Sequence, residues 1–162
     1  MNIKALHVLV VTLLTPLWSF GQTAVSGTRT GEVLAPIHRL FDGMRAGDST
    51  MVRSAFHPIA RLVTTFYKDE KPAHHVSTID DFTRAVGTPH EDVFDERIWD
   101  VAVDVRDNLA SVWMKYAFFL GDDFSHCGVN SFELFVTDEG WKVMHLADTR
   151  QKENCEMPPG AG

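Results

Sequence analysis

The chain has 162 residues, a length that argues for one domain with short appendages. Hydrophobic residues make up 44% and charged residues 23%, the balance of a globular protein rather than a collagen, a low-complexity chain or a multi-span membrane protein. The formal charge is −7 and there is no basic run, so no nucleic-acid partner is expected, because such partners demand a positive stripe.

Residues 1–21 read as a secretory signal peptide. Lys4 precedes an apolar run from Ala5 to Trp18, and Ser19 and Gly21 are small residues at −3 and −1 of a cut after Gly21. The run contains Pro16 and is short for a spanning helix, which needs ~20 apolar residues. The expected location is secreted or periplasmic, with no membrane attachment after cleavage. Residues 22–31 are small and polar and read as a flexible leader. The domain is expected over 32–155, followed by a disordered tail at 156–162.

Val33, Leu34, Ile37, Leu40, Phe41 and Met44 recur with helical spacing and predict a helix with one apolar face. Pro36 falls in its first turn on this reading, and Gly47 ends it. Asp48 or Ser49 caps a short second helix that stops before Pro58. Ala60 to Tyr67 is rich in β-formers, and residues 68–72 form a turn. A third helix runs from about Ile79 to Val86, capped by Ser77 or Thr78, with Asp80 and Asp81 in its positive first turn. Four meandering strands follow, Arg97 to Arg106, Leu109 to Leu120, Phe124 to Val136 and Trp141 to Arg150, separated by Asp- and Gly-rich turns. The fold class is α+β, with three helices covering a strongly curved antiparallel sheet.

The turns set the register, and the register assigns faces. Pairing across 107–108, 121–123 and 138–140 puts Trp99, Val101, Met114, Tyr116, His126, Asn130, Phe132, Met144, Leu146 and Asp148 on one face, toward the helices. Asn130 then lies opposite Asp148, Tyr116 opposite Gly128 and Phe118 opposite His126. A bulge near Met114–Lys115 would swap the faces of the upstream part. The other face carries Trp113, Phe119, Val129, Phe135 and Trp141, an aromatic patch suited to a homodimer interface or to another protein partner.

Polar side chains on an apolar face need partners, since an unpaired one costs ~1–3 kcal/mol. The candidate catalytic residues are therefore His126 as proton carrier, Asp148 as its orienting carboxylate and Tyr116 as oxyanion donor. Trp99, Met114, Asn130, Phe132 and Leu146 are the candidate ligand-binding residues, with Gly128 leaving a gap in the wall. The competing reading is that His126 and Asp148 are satisfied locally and only join sheet to helices. His38 sits at the edge of the first helical stripe, at the surface or at the cone mouth. His74-His75 and His90 with Glu91 and Asp92 lack the spacing of a metal site, and no metal or cofactor is expected. Cys127 faces Gln151 in this register, so Cys155 can fold back to pair with it, or both remain thiols.

Residues 33–62 (VLAPIHRLFDGMRAGDSTMVRSAFHPIARL), 124–134 (FSHCGVNSFEL) and 140–150 (GWKVMHLADTR) make the chain resemble the nuclear transport factor 2-like superfamily with its cystatin-like cone. Within it the chain is similar to the SnoaL-like and lumazine-binding bacterial group. Asn130 stands where similar sequences often carry Asp. The resemblance implies a conical fold, a pocket between helices and sheet, and frequent dimers. It implies no single reaction, because isomerases, cyclases, dehydratases and binding proteins share the fold. The expected function is binding of a small, partly apolar ligand in the cone. The alternative is a cofactor-free isomerase, cyclase or dehydratase using a His126–Asp148 pair.

Overall fold

The stripe from Val33 to Met44 is buried along one helix, α1 (Val25–Ala46), in a computed structural model that describes residues 25–160. The proposed cut after Gly21 lies outside the described residues. Helix α1 begins at Val25, so residues 25–31 are helical rather than a flexible leader, and Pro36 is interior. Glycines and hydroxyl residues crowd these first turns, and they carry no apolar stripe for periodicity to detect. Gly47 takes φ +64 and ends α1. The Asp48 carboxylate accepts from the Met51 N–H and starts α2 (Ser49–Ala55).

Strand β1 (Phe56–Lys68) turns at Asp69 and Glu70, both with positive φ, into β2 (Lys71–Ser77). Strand β2 was hidden in the sequence because the segment (KPAHHVS) is polar and carries Pro72, which an edge strand tolerates. Helix α3 (Ile79–Gly87) is capped by Thr78, whose hydroxyl accepts from the Asp81 N–H. The meander follows as β3 (Phe94–Arg106), β4 (Leu109–Leu120), β5 (Asp123–Thr137) and β6 (Gly140–Thr149).

The six strands are ordered β2-β1-β6-β5-β4-β3. The pairing of β1 with β6 is parallel, so the sheet is mixed, not wholly antiparallel as expected. The crossover between them spans the whole meander, which lets the sheet curl over the helices. Phe41 of α1 meets Phe132 edge-on at 6.3 Å, and Phe82 of α3 meets Phe56 the same way. Val33, Ile37, Val112, Met114, Phe132 and Leu134 are all 1% exposed or less at the centre of the core.

Three bulges set the faces. On β3 the register shifts between Trp99 and Ala102, with Asp100 at φ 51 opposite Met114. Upstream of it the alternation is inverted: Ile98 and Glu96 face inward, while Trp99 pairs with Lys115 on the outer face. On β5, a tight turn at 121–122 is offset by a bulge at Ser125, so Phe118 still faces His126. On β6, a tight turn at 138–139 is offset by a bulge at Met144. That puts Val143, fully buried, in the core where Met144 was expected, and packs Trp141 against the core.

Trp141 therefore leaves the expected outer patch. Phe119 is only 8% exposed there, covered by the Arg97 guanidinium 4.0 Å from its ring centre and by Phe124. Trp113, at 51% exposed, remains open beside half-buried Val129 and Phe135.

Candidate functional site

Helices α1 and α3 and the inner face of the sheet enclose a cavity of about 580 Å³. Its apolar wall includes Leu40, Phe41, Leu62, Phe82, Phe94 and Leu146. His126, Asp148, Tyr116, Asn130 and Leu146, all named from the sequence, line it. Met114 and Phe132 do not. They are fully buried beneath α1, and serve packing rather than ligand contact. Trp99 is excluded by the β3 bulge and instead lines a recess of about 140 Å³ on the outer face, with Lys115 and Cys127.

The same bulge brings in a residue the alternation missed. Glu96 faces the cavity and its Oε1 accepts from Asn130 Nδ2 at 2.7 Å. Thr64, on β1, donates to Asp148 Oδ1 at 2.7 Å. Tyr116 Oη donates to the Thr149 carbonyl at 2.8 Å and lies 3.4 Å from Asp148 Oδ2. His75 and Ser77 of the unforeseen β2 complete the rim. The only available clue to Glu96 was Asp100 beside Val101, since Asp is among the few non-glycine residues that accept positive φ.

His126 and Asp148 share the cavity without forming the expected pair. The ring nitrogen Nδ1 is 3.0 Å from Ser125 Oγ, while the Asp148 carboxylate is engaged by Thr64 and Tyr116. The His126 ring packs against Phe118 at 4.9 Å and Tyr116 at 5.8 Å. Burial, with Arg150 and Lys152 adding their positive charge, pushes its pKa down to about 4, so the ring is neutral at physiological pH. Burial raises Asp148 above the usual carboxylate range against the opposing hydrogen bond from Thr64. It lifts Glu96 to about 7, against the Asn130 hydrogen bond and with the Asp148 charge in support. Burial also raises the Tyr116 phenol, keeping it a neutral donor.

Gly128 does not open space for a ligand. A Cβ there would lie 1.9 Å from the Thr149 carbonyl oxygen, which is the acceptor for Tyr116. Glycine lets the end of β6 press onto β5, and that contact fixes the Asp148–Thr149 peptide. Gly128→Ala is expected to cost about 1–3 kcal/mol by overpacking against backbone. Urea denaturation measures it, and an unchanged midpoint would contradict the close approach.

Cys127 and Cys155 form a disulfide with a Cα–Cα distance of 5.8 Å. Cys127 also bridges to Gln151 through paired backbone hydrogen bonds, as the register required.

Cone, helical cover and internal polar cluster define a nuclear transport factor 2-like domain. The chain belongs to the family described as "Putative lumazine-binding", whose model matches residues 28–146. No curated protein sequence matches the chain. Among solved structures, an NTF2-like protein of unknown function from Shewanella baltica is 17% identical, with TM-score 0.60 over 78% of this chain and 96% of that one. An NTF2-like protein with a cystatin-like fold from Novosphingobium aromaticivorans is 11% identical, with TM-score 0.62 over 78% and 84%. A "putative dehydratase from the NTF2-like family" of Streptomyces avermitilis is 16% identical, with TM-score 0.58 over 77% and 97%. At these identities the likeness is one of fold.

Proposed function

We propose that the protein binds a small, partly apolar molecule in the conical cavity. The observation that carries this reading is the cavity itself, about 580 Å³ with apolar walls and a hydrogen-bonded set of polar groups among them. That volume and lining are those of small-molecule sites. The family's lumazine-binding description supports a small-molecule ligand. We also propose that the chain is exported through residues 1–21, and that it dimerises through the outer sheet face around Trp113.

Native mass spectrometry of the exported protein tests all three points. The expected result is a dimer of chains cut after Gly21, each retaining a small molecule. A mass that includes residues 1–21 would reject export, and a monomer at micromolar concentration would reject the dimer. Protein that carries no ligand and gains no thermal stability from a metabolite library would reject binding.

A second reading is catalysis of proton transfer in the same cavity, as in an isomerase, cyclase or dehydratase. One observation favours it: Glu96 is a buried carboxyl held at about 7, near the pKa that suits a general base. In that reading Glu96 takes the proton-moving role the sequence assigned to neutral His126. The Streptomyces relative described as a "putative dehydratase" is consistent with such chemistry on this fold. Loss of turnover in Glu96→Gln with unchanged ligand affinity would identify it.

A further inference from the structure

We propose that the part of the cavity lined by Glu96 and Asp148 selects a ligand tipped with a cationic, hydrogen-bond-donating nitrogen, such as a protonated amine on an apolar body. The inference rests on the binding reading above and adds the charge and polarity of the ligand's buried end.

The argument is an accounting of donors and acceptors. Asn130 Nδ2 donates to Glu96, Thr64 Oγ1 to Asp148, and Tyr116 Oη to the Thr149 carbonyl. Those protein donors are already engaged within the fold. The two carboxylates together offer about eight acceptor sites, so acceptor capacity remains in excess. An anionic ligand group would meet two carboxyls. A purely apolar tip would leave their remaining lone pairs facing no donor beyond Asn130, Thr64 and Tyr116. A protonated nitrogen satisfies both the charge and the open lone pairs, in hydrogen bonds stronger than neutral ones.

The charges acting on Glu96 are Asp148 on β6, Arg150 just beyond β6, and Asp95, its neighbour on the other face of β3, which Arg45 and Arg97 already pair. Arg150 is the one lysine or arginine among the described residues lining the cavity; it is exposed and forms no ion pair with either carboxylate. His126 is neutral. The rings of Phe94 and Phe118, 5.8 Å apart, line the same space, and aromatic faces attract cations.

A cation at Glu96 takes the place of the proton that burial holds there. Its affinity therefore rises with pH through about 7, while a neutral ligand that accepts from protonated Glu96 weakens over the same interval.

The test uses three probes of one shape: 2-(1-naphthyl)ethylamine, 2-(1-naphthyl)ethanol and 1-naphthylacetate. Titration calorimetry is run on the oxidised protein between about pH 6 and pH 8, spanning the Glu96 titration. The amine is expected to bind on the order of tenfold tighter than the alcohol at the upper pH, with naphthylacetate weakest. Glu96→Gln should remove most of that advantage and leave the alcohol unchanged. Asp148→Asn should reduce it independently, so the result does not depend on one variant folding. If the alcohol or naphthylacetate binds as well as the amine, the charge preference is overturned while the cavity stands as a binding site. If none binds and the exported protein carries no ligand, both readings fall.

Discussion

Removing the Cys127–Cys155 disulfide, in a Cys127→Ser/Cys155→Ser double variant, is expected to cost about 3–4 kcal/mol of stability, the chain-entropy value for a loop of 28 residues. The loss should not be spread evenly. Cys127 is buried on β5, and Cys155 lies beyond the end of β6. Between them, Gln151 pairs with Cys127, Arg150 N–H donates to Thr65, and Thr149 Oγ1 accepts from the Val129 N–H. These contacts bend the chain after Asp148 across Gly128, so the bridge clamps the strand end that presents Asp148 and the Tyr116 acceptor. Amide exchange in the variant should accelerate first at Val129, Arg150 and Gln151 and leave Val112 and Phe132 in the core protected. A double variant with wild-type urea midpoint and unchanged exchange would show that the clamp contributes nothing.

The same region shows what the sequence could and could not reveal. Hydrophobic periodicity identified α1, because five large apolar side chains share one face and bury it. The inner positions of Tyr116, His126, Asn130 and Asp148 were legible because two tight turns were each offset by one bulge, leaving the pairs Phe118–His126 and Asn130–Asp148 in register. No such offset exists on β3. There the bulge at Asp100 and Val101 inverts everything upstream, sending Trp99 outward and Glu96 inward. Beyond the tolerance of Asp100 for positive φ, nothing local marks the slip, which leaves both Ile98 and Val103 packed against the core. The absent His126–Asp148 bond has a related cause. Thr64 reaches Asp148 only because β1 pairs with β6 in parallel, a crossover the turns of the meander do not reveal. Strand β2 has no apolar alternation to read, because it is a polar edge strand with most of its residues exposed.

Stability of the ligand-free protein is expected to fall between about pH 6.5 and pH 8, and Glu96→Gln should abolish that fall. Burial raises the Glu96 pKa in the fold to about 7 from an ordinary 4.5. The fold thus favours the protonated carboxyl, and that contribution is complete below pH 4.5 and lost as pH rises through 7. Asp148, raised in the same direction, adds a loss of the same sign. His126 acts oppositely. Its pKa is depressed to about 4 from 6.5, so its contribution is complete above 6.5 and lost as pH falls through 4. The two slopes oppose each other between 4.5 and 6.5, and above that interval only the Glu96 loss remains. Urea denaturation from about pH 4.5 to pH 8 should show Glu96→Gln matching the wild type at the acid end and exceeding it by about 2–3 kcal/mol at pH 8. Glutamine keeps an oxygen to accept from Asn130, so the variant removes the charge rather than the hydrogen bond. A wild-type curve that rises toward pH 8, or a constant offset between the two proteins, would contradict the buried titration. The same substitution is expected to weaken binding of an amine probe, so one carboxylate costs the fold stability at neutral pH and supplies the cavity's affinity for a cation, the trade expected where a buried charge is kept for a ligand.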